Sequence, residues 1–131
     1  MIKILHMTPP DINNGVYRYI FSHMKYMDGG RFRSAFLTKG AKKLRQTPEY
    51  RKYGFEVYEL KGVQRDDAKA FRQEIGRILD NGFDILHLHT SSWRGFMIEE
   101  IAMERGIPRV IVHSHSAGID EGTPGEREER I

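Results

Sequence analysis

Five of the six histidines lie at the ends of three short apolar segments. They are His6 in ILHM, His87 and His89 in HLHTSS, and His113 and His115 in VHSHS. Imidazoles spaced two residues apart can bind a borderline cation such as Zn²⁺, act as an acid/base pair, or hydrogen-bond a sugar. The sequence therefore concentrates its candidate chemistry at three segment ends.

The surrounding residues weaken the metal and hydrolase hypotheses. The chain has no Cys, and no carboxylate is interleaved with the His pairs; Asp84 lies at the opposite end of its segment and Asp120 lies in a loop. Ser114 and Ser116 flank His115, but there is no Gly-x-Ser-x-Gly turn, Walker A motif or Gly-x-Gly-x-x-Gly motif. A phosphate or sugar site of weaker signature remains, with zinc as the minor alternative.

Strand-like and helix-like segments alternate along the chain. Short apolar runs predict strands at 2–7, 34–38, 56–60, 84–89 and 109–113, and stripes at helical spacing predict helices within 16–27, 48–53, 71–79 and 97–102. Gly54, Gly82 and Gly106 each follow a predicted helix, as helix-ending glycines do. This alternation predicts an α/β fold, a Rossmann-like three-layer sandwich with a mainly parallel sheet of strand order 3-2-1-4-5.

The predicted sheet brings the histidine segments together. Ligands of open parallel sheets bind outside the carboxyl ends of the strands, where the strand order reverses, and here that crevice lies between strands 1 and 4. The residues that follow His6, His89 and His113 should therefore face one edge of the sheet.

The segment TPPDINNGVYRYI connects strand 1 to the first helix. Asn14 and Gly15 can present backbone N–H groups to a phosphate at the helix N-terminus, although these residues alone favour an ordinary Asn cap followed by Gly. Thr90 follows strand 4 and can cap the next helix, with any contact to substrate in addition.

Composition limits the domain count and the partners. The 131 residues suffice for one domain, predicted over 1–118, with a polar loop or disordered tail over 119–131. The absence of Cys fits a reducing cytoplasm. Residues 31–72 hold twelve Lys/Arg and five Asp/Glu, a charge excess that could attract anionic lipid or phosphate, but no nucleic-acid recognition pattern is present.

Three segments in order resemble a known family. MIKILHM, FDILHLHTS and GIPRVIVHSHSAGID are similar to the N-terminal domain of GT-B glycosyltransferases, closest to the family 4 enzymes that build exopolysaccharide, capsule or lipopolysaccharide. The resemblance implies two Rossmann-like domains around one cleft, with the acceptor held by the N-terminal domain and the nucleotide-sugar, UDP-linked in the expected case, held by the C-terminal domain. It implies retention of anomeric configuration, no cofactor and no metal.

The resemblance also assigns roles to individual residues. His115 matches the active-site histidine near the transferred sugar, and Ser116 stands beside it. His89 and Thr90 match the neighbouring loop on the acceptor side. Gly15 matches the loop that approaches the donor diphosphate.

Two departures from the family pattern shape the expectation. Asn14 stands where the family commonly has a first glycine before Gly15. Glu121 and Glu129 have the spacing of the family's paired glutamates but lie in the polar tail, so we interpret them as a coincidence.

The chain is thus expected to be the acceptor-side half of a glycosyltransferase, inactive without a C-terminal domain or partner subunit. We expect it in the cytoplasm, with peripheral contact at the inner face of the cell membrane, where it would meet a lipid-linked or glycan acceptor. The alternatives are a standalone α/β binding domain and a His-rich metal-dependent hydrolase.

Overall fold

The computed structural model describes residues 1–62, 67–90 and 97–114. Five strands alternate with helices: β1 Ile2–Met7, α1 Gly15–Met24, β2 Phe32–Thr38, α2 Ala41–Leu44, α3 Pro48–Tyr53, β3 Glu56–Glu59, α4 Ala68–Leu79, β4 Ile85–Thr90, α5 Met97–Glu104 and β5 Arg109–Ser114. The strands form one parallel sheet of order β3-β2-β1-β4-β5. The predicted Rossmann-like α/β fold and strand order are confirmed.

One face of the sheet packs against α4 and α5. Alternation along the central strands directs Leu5, Leu86 and Leu88 to this face, where they join Phe71 and Ile75 of α4. Full burial of each such side chain stabilises the fold by about 1.5–3 kcal/mol. Among the described residues, the core on this face is apolar and contains no histidine.

The opposite face packs against α1. Val16, Tyr17 and Ile20 of α1 lie against Phe36 of β2 and Phe55, and all five are buried. The apolar stripe of this helix was predicted to continue to Met27, but α1 ends at Met24.

The helix ends follow local residue chemistry. The Thr47 hydroxyl accepts the Tyr50 N–H (3.2 Å) at the start of α3. Gly54, Gly82 and Gly106 have φ of 63°, 86° and 73°, a left-handed conformation that glycine adopts without steric cost, so the predicted helix-ending glycines are confirmed. The four-residue helix α2 was not predicted.

A reciprocal pair of contacts aligns the start of β1 with the start of β4. The Lys3 N–H donates to the Asp84 carboxylate (2.9 Å), and the Asp84 N–H donates to the Lys3 carbonyl (2.9 Å). The Asp84 carboxylate is therefore engaged in a hydrogen bond at the amino end of β4. The strand register that these contacts fix places His6 beside His87. Within the described ranges, no helix is long and apolar enough to cross a membrane.

Candidate functional site

The candidate site lies at the carboxyl ends of β1 and β4. These two central strands are neighbours, and the chain runs outward from them in opposite directions, to β2 and β3 on one side and to β5 on the other. Strand order therefore reverses between β1 and β4, which is where open α/β sheets bind ligands.

Three imidazoles gather on the α1 face at this point. His87 and His89 are two residues apart on β4 and share a face, and His6 is the register partner of His87 on β1. The ring centroids of His87 and His89 lie 3.8 Å apart, and those of His6 lie 5.4 Å from His87 and 5.0 Å from His89. We refer to His6, His87 and His89 as the histidine cluster.

A buried hydrogen bond joins two members of the cluster. His6 Nδ1 and His89 Nε2 are 2.8 Å apart, so one ring donates its N–H to the other. His6 and His89 are only 7% and 6% exposed, whereas His87 is half-buried. His89, which the sequence analysis assigns to the acceptor side, is therefore hydrogen-bonded to β1 through His6.

Burial controls the charge of His6. Desolvation, followed by the neighbouring charge of His87, lowers the pKa of His6 from 6.5 to about 3. His6 is consequently neutral at physiological pH, and its Nε2 atom is buried with no hydrogen-bond partner among the residues that the structure describes. A neutral imidazole can hold a proton for its neighbour or offer a lone pair to a cation.

His113 extends the cluster towards the edge of the sheet. It is the register partner of His89 on β5, and its ring centroid lies 5.5 Å from that of His87 and 5.8 Å from that of His89. The rings of His113 and of Tyr19 on α1 lie edge to face, with their centroids 5.1 Å apart. The predicted convergence of the three histidine-bearing strands is thus observed for His6, His87, His89 and His113.

Sequence reasoning did not identify the role of Tyr17 in shaping the loop after β1. The Tyr17 hydroxyl lies within hydrogen-bond distance of the Pro9 carbonyl and of the Thr8 and Thr38 hydroxyls (2.8 and 3.0 Å). Burial raises the pKa of Tyr17, so it stays protonated. This network connects the start of the loop to α1 and β2. The sequence signal that could have indicated it is a tyrosine, which carries a hydroxyl, in a predicted amphipathic helix.

The N-terminus of α1 follows the same loop. Asn14 caps it, with Oδ1 accepting the Val16 N–H at 2.9 Å, so the capping alternative for Asn14 is observed. Gly15 is exposed, and a methyl group added there would meet no atom within 4 Å. This terminus is therefore accessible from solvent within the described residues.

The structure describes no side chain for the other predicted site residues. Thr90 ends β4, but its side chain is not described. His115, Ser116 and the tail with Glu121 and Glu129 lie outside the described residues.

A basic groove lies between α1 and α3. Arg18, Lys25 and Lys52 line a cavity of about 290 Å³ together with Glu49 and apolar side chains. The exposed Tyr26 follows α1 nearby in the chain, with 88% of its surface accessible. The groove therefore carries a net positive charge, from two ammonium groups and one guanidinium group against one carboxylate.

Comparison with known proteins gives a fold likeness. No family model and no curated protein matches the chain. A crystal structure of a glycosyltransferase from Rickettsia africae ESF-5 is similar, with a TM-score of 0.66 and 13% sequence identity over 98% of this chain and 33% of that chain. The chain thus spans about a third of the length of that protein, with which it shares a glycosyltransferase-like fold.

Proposed function

We propose that the chain is the acceptor-side half of a nucleotide-sugar-dependent glycosyltransferase that acts in exopolysaccharide, capsule or lipopolysaccharide assembly. The observation that carries the proposal is the group of imidazoles where strand order reverses between β1 and β4. Neutral imidazoles both donate and accept hydrogen bonds, as recognition of sugar hydroxyls requires. The fold likeness to a glycosyltransferase supports the same conclusion.

In the proposed reaction, a hexosyl group moves from a UDP-linked donor to an acceptor hydroxyl with retention of configuration. The bond from the anomeric carbon to the diphosphate oxygen breaks, a bond to the acceptor oxygen forms, and the acceptor proton passes to the departing diphosphate. His115 contacts the transferred sugar, and Ser116, His89 and Thr90 shape the acceptor side.

The diphosphate is the group that needs charge stabilisation. In the proposal it approaches the N-terminus of α1 at Asn14 and Gly15, where the partial positive charge of the helix favours an anion. The open space around Gly15 supports such an approach. Neither metal nor cofactor has a part in this transfer.

The proposal requires a second domain for the donor, in the same polypeptide or as a partner subunit. The chain covers 33% of the similar glycosyltransferase chain, which leaves most of that protein without a counterpart here. Closing a site between two domains excludes water, which would otherwise compete with the acceptor. The chain alone is therefore proposed to be inactive.

The proposed acceptor is lipid-linked or a glycan, and no nucleic acid takes part. A cytoplasmic enzyme can reach a lipid-linked acceptor by peripheral contact with the inner face of the cell membrane. The basic groove of Arg18, Lys25 and Lys52 supports such contact, because anionic headgroups attract each nearby cation by about 1 kcal/mol.

The test compares the complete protein with the 131-residue chain. Each is incubated with UDP-sugars and lipid-linked acceptors, and product is measured with the His115→Ala variant and the exposed His23→Ala variant alongside. We expect turnover from the complete protein only, lost with His115→Ala and kept with His23→Ala. Robust turnover by the 131-residue chain would refute the half-enzyme proposal. Nucleotide-sugar binding without transfer by the complete protein would favour a binding domain.

A further inference from the structure

We propose that His6, His87 and His89 form a binding site for a divalent transition-metal ion such as Zn²⁺. Each of the three offers one ring nitrogen, and these nitrogens all lie within 4.8 Å of one another. The site shares His89 with the acceptor side of the proposed transfer, but it does not rest on that transfer, which uses no metal.

The donor set selects the class of ion. It contains three imidazole nitrogens and no carboxylate. Imidazole suits Zn²⁺, Cu²⁺ and Ni²⁺, whereas Mg²⁺ and Ca²⁺ prefer oxygen ligands. Three neutral histidines with a fourth position open to water form a known zinc arrangement.

The geometry requires changes of up to about 1.5 Å between ligand nitrogens, which now lie within 4.8 Å of one another. Zn–N bonds of about 2.0–2.1 Å in a tetrahedral site set neighbouring nitrogens about 3.3 Å apart. His6 Nδ1 and His89 Nε2, at 2.8 Å, would separate by about 0.5 Å. His87 would approach them by ring rotation, since it stacks directly on His89 and is the least buried of the three.

The proton shared between His6 and His89 must move before both rings can bind the ion. Each neutral imidazole carries one N–H, and a ligating nitrogen must present its lone pair. The ring that donates the hydrogen bond therefore moves its proton to its other nitrogen as the ion replaces the bond. This shift leaves both nitrogens of the former hydrogen bond with a lone pair for the ion.

The backbone supports the site from two directions. His6 lies on β1 and the other two ligands on β4, and the reciprocal Lys3 and Asp84 contacts fix the register between these strands. An ion held between them would join the carboxyl ends of both strands and thereby stabilise the folded chain. The ring centroid of His113 lies 5.5 Å from that of His87, so a fourth imidazole stands close to the three ligands.

The test uses the full 131-residue chain after chelator treatment. Zn²⁺ titration should give one site per chain by calorimetry and should raise Tm, by on the order of 10 °C at a hundredfold excess over Kd. Co²⁺ should give the intense visible absorption of a tetrahedral site. The variants His89→Gln and His87→Gln should lose the Tm rise, whereas His23→Gln, an exposed histidine on α1, should keep it.

Two outcomes would overturn the proposal. The first is a Zn²⁺-dependent Tm rise that survives in both His89→Gln and His87→Gln. The second is the lack of tetrahedral Co²⁺ absorption in the unaltered chain, which decides the matter even where a variant fails to fold. Turnover of the complete protein in EDTA tests the separate claim that transfer uses no metal.

Discussion

The buried imidazole of His6 predicts a specific loss of stability in acid. The pKa of His6 is about 3 in the folded chain, against 6.5 for an ordinary histidine. The unfolded chain therefore binds a proton more tightly, so acid favours unfolding. This group costs no stability above pH 6.5, and its destabilising effect grows as the pH falls from 6.5 to 3. At pH 5 the loss amounts to about 2 kcal/mol, from 1.5 pH units at about 1.36 kcal/mol each.

The assay is urea unfolding of the chain and of His6→Gln at several pH values between 5 and 7. Glutamine does not titrate, so the variant should lack about 2 kcal/mol of the decline between pH 7 and 5, whatever its stability at pH 7. The exposed His23→Gln variant controls for loss of a histidine and should decline like the unaltered chain. Equal pH dependence in His6→Gln and the unaltered chain would refute the burial argument.

Three further predictions concern single residues. Gly40→Ala should lower the free energy of unfolding by about 1–3 kcal/mol, because the new methyl would lie 2.1 Å from the Pro10 carbonyl oxygen. Gly15→Ala, where the methyl would meet no atom within 4 Å, should cost nothing, and urea unfolding would compare the two variants. Thr47→Ala should cost about 1 kcal/mol in the same assay through the lost helix cap, and an unchanged midpoint would contradict that role. Under the proposed function, His115→Ala in the complete protein should lower kcat at least tenfold with Tm unchanged; equal kcat would remove His115 from the proposed site.

The sequence was sufficient for the fold because local and long-range signals agreed. Apolar strands, helical stripes and the glycines that end helices all indicated the same order of elements. Helix α2 was missed because four residues, AKKL, are too few to show a helical period. The end of α1 was placed too late because an apolar residue at Met27 fits the period without belonging to the helix.

The candidate site was predictable in position but not in its contacts. The strand order indicated that the residues after His6, His89 and His113 would face one edge of the sheet. The bond between His6 and His89 depends on the register of strands about eighty residues apart, which no local pattern encodes. For the same reason the burial of His89 could not be read from HLHTSS.

The position of β1 also affects how the chain is made. β1 is synthesised well before its neighbour β4, and one of its edges stays unpaired until β4 is available, since Lys3 and Asp84 are 81 residues apart. At about 5–20 residues per second, a ribosome needs about 4–16 s to make that interval. During this time a nascent β1–β2–β3 sheet would expose the hydrogen-bonding groups of IKILHM to other chains. Slower translation between β3 and β4 should therefore increase aggregation of newly made chains, and faster translation should reduce it.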